Sequence, residues 1–426
     1  MKITRKAEKI NLNQVMDVSV DVHKELLHFF MACEGHEYSD ECRNRSTTIS
    51  THLKRYHAIA VQHKRKNIRI ICEPTGQYQN KLLRTARRLG FLTCFVNAEA
   101  VAKFRVIESN DNGKTDTKDP RVIQTLGRLD KVMKHRLLGE EYLMLRQLGK
   151  IYDEIEVAAT SLRCRLDRLL LELFCDYSFK KDFLYSNSGL SLVEEFGCNP
   201  YRMVECGFDR FCAVMRRSSP HIRTATLKRL WVDAQSSVLN EIPSGYVDIM
   251  EKRLYQLIQD YLEQQERKEE LVGRMEEILA RLRQEDPKIP PPTPGVISAK
   301  NLARLLGETG PLSDFANWRK LMRYGGLNIR MRQSGKYQGL NKISKKGRRL
   351  LRKVLNQIAL PLVRRSELYG EFYHHKKEVD KMVGNKAMVV VARHFLRKFY
   401  GWYQSGQEFD RQRFLKSDGE IVKMAA

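Results

Sequence analysis

The segment Ile68-Arg69-Ile70-Ile71-Cys72-Glu73, followed by Pro74-Thr75-Gly76, sets the fold class of the first part of this chain. A short apolar run that stops at Pro-Thr-Gly predicts a buried strand ending at Glu73. Amphipathic helices are predicted on either side, over 47–66 and 77–89, and a second strand over 91–96. Strands that alternate with helices indicate an α/β domain with parallel strands at its centre.

Upstream of this unit, residues 13–34 contain two β-rich runs, Val15–Val22 and Leu26–Phe30. Their near period-two alternation and the short polar segment between them predict a hairpin. Downstream, residues 118–130 return to a helical pattern. The α/β region is therefore predicted to extend from residue 10 to residue 138.

A helical arm is predicted to follow, over 139–286. Apolar residues spaced by three and four form two seams typical of coiled coils. The first seam is Met144, Leu148, Ile151, Ile155, Ala158, Leu162, Leu166, Leu169 and Leu173, and the second is Met250, Leu254, Leu257, Tyr261, Gln264, Lys268, Leu271, Met275, Ile278 and Leu282. We expect an antiparallel pair with a small insert at about 176–245. Oligomerisation and an ordinary intramolecular hairpin explain the arm about equally well.

Composition indicates a polyanion partner. Lys and Arg number 76 against 51 Asp and Glu, a net charge of +25. Nucleic acid is the usual partner of such a chain. No stretch approaches the roughly 20 apolar residues of a membrane span, and no apolar h-region follows the N-terminal Met1–Lys6.

Nine cysteines with irregular spacing and no C-x-x-C indicate reduced thiols in a cytosolic protein. Cys198, Cys206, Cys212 and His221 are a conceivable zinc set, but their spacing fits no known finger and favours ordinary buried thiols. The expected location is therefore the cytoplasm, next to the nucleoid.

Four acidic residues are candidates for a metal site. Asp21 and Glu73 close predicted strands, and Asp116 and Asp119 stand three residues apart, on one face of a helix start. The carboxyl ends of strands meet at one sheet edge. Carboxylates gathered there repel one another unless cations neutralise them, and two Mg²⁺ ions about 4 Å apart would do so. The alternatives are a turn cap for Asp21, a plain strand end for Glu73 and a solvated helix start for the Asp pair.

After a proline-rich linker at 287–294 comes a segment of unusual charge. Arg319 to Lys353 contains thirteen Lys or Arg and no acid. Most charge runs are solvated faces, but 35 residues without an acid favour phosphate binding. Ser334 lies in a cationic loop. A serine hydroxyl is a poor nucleophile without activation, so the sequence alone favours a phosphate contact at Ser334 over a role as nucleophile. The turn 293–298 before the helix 298–306 either presents backbone N–H groups to a phosphate or simply begins a helix.

Together these motifs resemble the DEDD-type insertion-sequence transposases related to the Piv invertases, which are also described as bridge-RNA-guided recombinases. The resemblance covers about 15–135 and 288–405. The segments that carry it are Val20–Lys24, Cys72–Gly76, Lys114–Asp119, Pro294-Gly295, Gly325–Leu327, Gln333–Gly335 and Ile343–Gly347.

The resemblance implies a RuvC-like, RNase H-type domain whose D-E-D-D group, Asp21, Glu73, Asp116 and Asp119, binds Mg²⁺ or Mn²⁺. It also implies a mainly helical C-terminal transposase domain, 287–410, whose Ser334 forms a phosphoserine link to DNA. Donor and target DNA, a structured guide RNA and a homodimer or tetramer are the implied partners. The expected nucleic-acid contacts are Lys114, Thr115, Arg330, Arg332, Lys336, Lys342, Ser344, Lys345, Lys346 and Arg349.

Some positions depart from the family pattern or stay open. Pro120 follows Asp119 where a small residue is usual, but proline is tolerated in a first helical turn. Asp17 points to the same strand face as Asp21 and is the alternative first acid. Ser344 is an alternative nucleophile, and the resemblance does not cover the insert. The alternative functions are a hydrolytic RuvC-type nuclease, a Piv-like invertase without a guide RNA, and a basic nucleic-acid-binding protein without activity.

Overall fold

The computed structural model describes residues 14–109, 118–180, 182–330, 333–334, 337–338, 342–408 and 410. The chain divides into two compact units, Met1–Leu137 and Leu138–Ala426. Lys114, Thr115, Asp116, Arg332 and Lys336 lie outside the described residues. Within the part of the chain that is described, no helix is both long enough and apolar enough to cross a membrane.

The first unit is built on a six-stranded sheet with the order β3-β2-β1-β4-β5-β6. β1 and β2 are antiparallel, as are β2 and β3, whereas β4 is parallel to both β1 and β5. The predicted hairpin and the predicted parallel centre are thus confirmed. The strands are β1 (Val15–Val22), β2 (Leu26–Cys33), β3 (His36–Arg43), β4 (Asn67–Cys72), β5 (Leu92–Phe95) and β6 (Met133–Lys134).

Helices cover both faces of this sheet. Successive side chains of β1 point to opposite faces, so each can be assigned to one of the two helix layers. Val18 and Val20 are buried in a cluster with residues of the first two helices. Asp17 and Asp21 alternate with these valines and so belong to the opposite face. The fourth helix packs on that face, where Gln124 donates a hydrogen bond to the Asp17 carbonyl. The helices are α1 (Ser46–Gln62), α2 (Asn80–Arg88), α3 (Ala98–Ser109) and α4 (Lys118–Arg128).

In the described part of the first unit, three elements were missing from the prediction: β3, α3 and β6. β3 has the sequence HEYSDECR and is largely exposed. An edge strand of this kind is stabilised by pairing with β2, not by an apolar face, so hydrophobic periodicity does not reveal it. β6 has only two residues and depends entirely on β5.

The second unit is mainly helical. Its described residues also include two short 3-10 turns, Phe183–Tyr185 and Leu312–Asp314, and four two-residue strands. The helices are α5 (Glu140–Leu173), α6 (Asn187–Phe196), α7 (Pro200–Glu205), α8 (Phe208–Ser218), α9 (Thr224–Ser237), α10 (Ser244–Glu285), α11 (Ala299–Thr309), α12 (Trp318–Tyr324), α13 (Arg349–Arg365), α14 (Glu367–Glu378) and α15 (Gly384–Ser405). The strands are β7 (Ile329–Arg330), β8 (Gln333–Ser334), β9 (Tyr337–Gln338) and β10 (Lys342–Ile343).

The long helices α5 and α10 pack side by side in antiparallel directions. Leu145, near the start of α5, shares a core cluster with Leu282, near the end of α10. Leu173, at the end of α5, shares another with Met250, near the start of α10. Between the end of α5 and the start of α10, α6 to α9 form a small helical insert. It has its own apolar core, which includes residues of both long helices.

The predicted seam of α5 is partly wrong. Leu148, Ile155, Leu162, Leu166 and Leu173 are buried as predicted. Met144 and Ala158 are exposed, and the adjacent Leu145 and Ala159 are buried instead. The physical reason is that α5 packs on α11 and the C-terminal helices at its start and on the insert at its end, so its buried face is not a single 3.5-residue stripe. The predicted seam residues of α10 are buried near both ends of the helix and half-buried in its polar middle.

Candidate functional site

Asp21 and Glu73 come together at one edge of the first sheet. β1 and β4 are parallel neighbours in the register Val20↔Cys72. The residue that follows each member of this pair is an acid, Asp21 within β1 and Glu73 directly after β4, so the two acids are neighbours at the carboxyl ends of these strands. Burial raises the pKa of the Cys72 thiol, and the nearby Glu73 and Asp21 carboxylates raise it further. Asp21 itself is only 7% exposed.

Asp119 is a second buried carboxylate, 3% exposed, in the first turn of α4. Arg105 of α3 lies against it, with Nε 2.8 Å and a terminal nitrogen 2.6 Å from Oδ1. Both guanidinium nitrogens lie against the same oxygen, and removing either partner of such a pair would leave a buried charge without its counter-charge. Sequence reasoning missed Arg105, because nothing in the spacing of residues 105 and 119 reveals that α3 and α4 meet.

Asp17 and Asp21 lie on the same face of β1 but have different partners. Arg69 of β4 donates to both carboxylate oxygens of Asp17, over 2.7 and 2.8 Å. The hydrogen bond to Asp17 raises the pKa of Arg69, and this effect outweighs burial, which acts to lower that pKa. Asp21 instead contacts the imidazole of His23 at 3.2 Å. Asp17 is therefore an internal ion pair, whereas Asp21 faces a half-exposed histidine.

The acids do not form a closed ligand set among the described residues. In that part of the chain, the group of three whose ligand atoms all lie within 4.8 Å of one another is Cys33, Glu34 and His63. Asp116 of the predicted quartet is outside the described residues. All nine cysteines are free thiols, and the conceivable zinc set of Cys198, Cys206, Cys212 and His221 is not such a group.

In the second unit, the predicted basic segment contains two small two-stranded sheets. Arg330 of β7 pairs directly with Lys342 of β10, and both side chains are exposed. Like charges placed opposite one another destabilise an antiparallel pair unless an anion neutralises them. Ser334 lies in β8 opposite Tyr337 of β9. The backbone at Ser334 is therefore part of a two-residue strand that is antiparallel to β9.

The turn after β10 is held by glycines. Gly326 and Gly347 approach so closely that a Cβ on Gly347 would lie 2.4 Å from the Gly326 nitrogen. Lys345 has a φ of +54° and donates its backbone N–H to the Gly326 carbonyl. The Ser344 hydroxyl donates to Asn328 Oδ1 at 2.6 Å. Ser344 thus fixes the shape of a turn on which Lys345 and Lys346 are exposed.

Not all cations of this segment face solvent. Arg348 makes a two-point ion pair with Glu308, which is 4% exposed, over 2.9 and 3.2 Å. Arg352 donates to the carbonyls of Gly325 and Gly347. These two arginines hold the turn in place. The exposed members of the predicted set are Arg330, Lys342, Lys345, Lys346 and Arg349.

The turn that precedes α11 has the features of an ordinary helix start. Ser298 is the N-cap residue, and its side chain accepts a hydrogen bond from the Asn301 N–H at 3.4 Å. Gly295, with φ +77°, allows the chain to reverse before it. A capped N-terminus leaves fewer N–H groups for an external phosphate.

Two family models match this chain. Residues 18–175 match the DEDD-type IS110 transposase model, and residues 293–374 match the model of the transposase IS116/IS110/IS902 family. No curated protein matches the chain significantly. Two segments of the chain are therefore similar to IS110-type transposase domains. The first begins within β1 and includes the rest of the first sheet, and the second includes the glycine-held basic turn.

Proposed function

We propose that this chain, with its IS110-type transposase domains, is a DNA transposase that cuts and rejoins DNA strands during insertion-sequence transposition. The observation that carries this proposal is the position of the candidate residues. Every acid of the D-E-D-D group lies within the matched segment 18–175, and Ser334 and the basic turn lie within 293–374. A protein that only bound nucleic acid would need the cations but not the buried acids.

The D-E-D-D group would be Asp21, Glu73, Asp116 and Asp119, in a RuvC-like, RNase H-type domain. All four supply oxygen ligands, which suit Mg²⁺ or Mn²⁺. Asp17 is the weaker candidate for the first acid because Arg69 occupies both of its carboxylate oxygens. When bound, the metal would polarise a phosphodiester and stabilise the charge that develops on its oxygens.

Arg105 is a positioning residue in this proposal. Its guanidinium offsets the charge of Asp119 and fixes the Oδ1 side of that carboxylate. A carboxylate that is held in this way loses little conformational freedom when it binds a cation. His23 lies beside Asp21 as Arg105 lies beside Asp119, and would position that carboxylate in the same way.

Ser334 would act as the nucleophile. Its Oγ would form a bond to a DNA phosphorus while one P–O bond of the strand breaks, and the released strand end would take up a proton as a hydroxyl. A serine hydroxyl needs a base, a metal or nearby cations to become nucleophilic. Arg330, Arg332, Lys336 and Lys342 are the nearby cations in the sequence.

DNA binding would involve the exposed cations of the basic turn, together with Lys114 and Thr115 beside the acids. Because phosphate contacts carry no sequence information, target choice would come from elsewhere. An element-encoded structured RNA that pairs with donor and target DNA is the source we propose. A homodimer or tetramer would hold the two duplexes that recombination requires.

Ser334→Ala compared with Ser344→Ala tests the serine step. Both variants remove one hydroxyl from the same basic segment, but Ser344 has a hydrogen-bonded structural role. We expect that denaturing gels with labelled donor DNA show a covalent protein–DNA adduct for Ser344→Ala and none for Ser334→Ala, although both variants still bind DNA. Recombination by Ser334→Ala would disprove the serine mechanism. DNA cleavage by Ser334→Ala without rejoining would favour the hydrolytic nuclease.

A further inference from the structure

The hairpin between β2 and β3 contains a group of ligand-type atoms that the transposase proposal does not use. Cys33 Sγ, a carboxylate oxygen of Glu34 and an imidazole nitrogen of His63 all lie within 4.8 Å of one another. Cys33 ends β2, Glu34 follows it in the turn, and His63 is the C-cap residue of α1. Three residues from two separate elements thus converge at one point.

The backbone brings Glu34 into this group at a cost. Glu34 and Gly35 both have positive φ, +49° and +84°, as in the tight turns that join antiparallel strands. Asn and Gly are the usual residues there, and a glutamate in the left-handed region is uncommon. A strained residue at a cluster of polar groups points to a function for its side chain.

The imidazole of His63 is already oriented. Its Nδ1 lies 3.1 Å from Glu34 Oε2, and its Nε2 lies 3.2 Å from the Tyr38 hydroxyl. In protein metal sites, the ring nitrogen that does not bind the metal usually contacts a polar group that fixes the orientation of the ring. The Tyr38 hydroxyl is in the position for that role, which leaves Nδ1 on the side of Glu34 and Cys33.

From these contacts we infer that Cys33, Glu34 and His63 form a zinc site that fastens the β2–β3 turn to the end of α1. The donor set of one thiolate, one imidazole and one carboxylate suits Zn²⁺ and does not suit Mg²⁺. Ligand atoms around tetrahedral zinc are separated by roughly 3.5 Å, given Zn–ligand bonds of about 2.0–2.3 Å. Small side-chain movements would bring the three atoms from their present separation to that distance.

The surroundings are compatible with such a site. Burial and the Glu34 carboxylate raise the pKa of the Cys33 thiol, and the charges of Arg65 and Arg128 and a hydrogen bond from Arg65 offset only part of this rise. Zinc would therefore displace the thiol proton when it binds. Cys33 is partly exposed and Glu34 is exposed, so a cation can enter from solvent. The fourth position would be filled by water or by His36, which pairs with Cys33 in the hairpin and whose ring centroid lies 6.2 Å from that of His63.

This site is separate from the D-E-D-D group. Asp21 pairs with His28 on β2, and Cys33 lies five residues further along that strand. At about 3.3 Å per residue, the distance along the strand is roughly 17 Å. Zinc here would therefore stabilise the hairpin and would not take part in strand cleavage.

The test is zinc binding by the full-length chain, stripped with a chelator, reduced, and titrated with ZnCl₂ in excess Mg²⁺. We expect one tightly bound zinc in the wild type, and a near-ultraviolet thiolate-to-metal band when Co²⁺ replaces it. Cys33→Ser and His63→Asn should each weaken binding by more than the roughly 10- to 100-fold that loss of an outer-shell partner costs. Cys164→Ser and His221→Asn are matched controls, since both residues are exposed and outside the group.

Thermal unfolding keeps the test decisive if a variant is destabilised. Without metal, the wild type and Glu34→Gly should both be folded, and the glycine relieves the positive φ of residue 34. Added ZnCl₂ should raise the Tm of the wild type and the two controls, and should raise it less for Glu34→Gly. Zinc stoichiometry and Tm shifts that are the same in the wild type, Cys33→Ser and His63→Asn would overturn the inference, as would a wild type that binds no zinc.

Discussion

The two matched segments handle charge in opposite ways. On the α4 side of the first sheet, three acids lie close to a cation of the same chain or to a histidine: Asp119 to Arg105 and Asp21 to His23 within the matched segment, and Asp17, one residue before it, to Arg69. In the second, five cations on the glycine-held turn, its strands and the start of α13 are exposed, and two of them, Arg330 and Lys342, face each other directly.

This difference indicates where each segment meets its partner. Acids that are paired inside the chain are already held in position before a ligand binds. A metal cation would then only have to replace the arginine or histidine partner of such an acid, or bind beside it. Exposed cations that repel one another gain stability when a polyanion binds, and that gain is lost as salt rises. The first segment thus resembles a prepared catalytic centre and the second a phosphate-binding surface.

The largest expected effect comes from the acids. Asp21→Asn or Glu73→Gln should lower the rate of DNA strand cleavage by roughly 10³-fold or more, because a bound metal supplies several kcal/mol of transition-state stabilisation. Asp248→Asn, at an exposed position of α10, is the control and should cleave normally. The rate is measured with labelled DNA in Mg²⁺. Normal cleavage by either acid variant would remove that residue from the metal site.

Substitution of Arg105 tests whether its ion pair with Asp119 is part of a metal site or only stabilises the fold. Arg105→Leu leaves Asp119 buried without its cation and should lower the free energy of unfolding by about 3–5 kcal/mol. Urea unfolding with and without Mg²⁺ measures this loss. If Asp119 binds metal, Mg²⁺ should recover part of the loss in Arg105→Leu and have less effect on the wild type. A loss that Mg²⁺ does not change would mean that the pair is only structural.

The second segment is tested by salt. Replacing Arg330, Lys345 and Arg349 with Gln should make the slope of log K against log salt less negative by about 0.7–0.9 for each lost phosphate contact, or roughly 2–3 units in total. The matched control replaces the exposed Lys252, Arg274 and Arg281 of α10, which changes the net charge equally. Fluorescence anisotropy with labelled DNA gives the slope. Equal slopes in the two triple variants would show that net charge alone drives binding.

The smallest expected effect concerns stability at acid pH. Burial, together with the nearby Lys398 and Arg397, lowers the pKa of His394 in α15 to about 4. Its ring contacts the Tyr369 hydroxyl and the Phe372 ring. Between about pH 6.5 and pH 4 the unfolded chain binds a proton that the folded chain does not, so stability falls as pH falls, by about 1.4 kcal/mol per pH unit and about 3 kcal/mol in all.

Urea unfolding across this pH range measures the effect. His394→Gln cannot take up the proton, and its stability should fall less steeply with decreasing pH. Parallel pH profiles for the wild type and His394→Gln would contradict the expected role of this histidine.

Much of the first sheet was predictable because its strands carry local signals. Val15–Val22 alternates, and Ile68–Cys72 is apolar except for Arg69 and is followed by Glu73 and Pro74. These local signals are enough to predict both acid-bearing strand ends. β3 was not predictable, because it is polar and depends on its neighbour β2. On α5, Met144 and Ala158 were predicted to be buried, but the adjacent Leu145 and Ala159 are buried instead, because different elements pack against different parts of this helix.

The candidate site was predictable in its residue types but not in its pairings. The sequence alone identified the acids, the cations of the basic segment and the two long helices, because charge, apolar runs and periodicity are properties of neighbouring residues. Only the tertiary structure assigned Arg69 to Asp17, Arg105 to Asp119 and Arg348 to Glu308, and only it brought Cys33 to His63. These contacts join residues that are 14 to 52 positions apart, and packing between separate elements, which leaves no local signal, is what decides them.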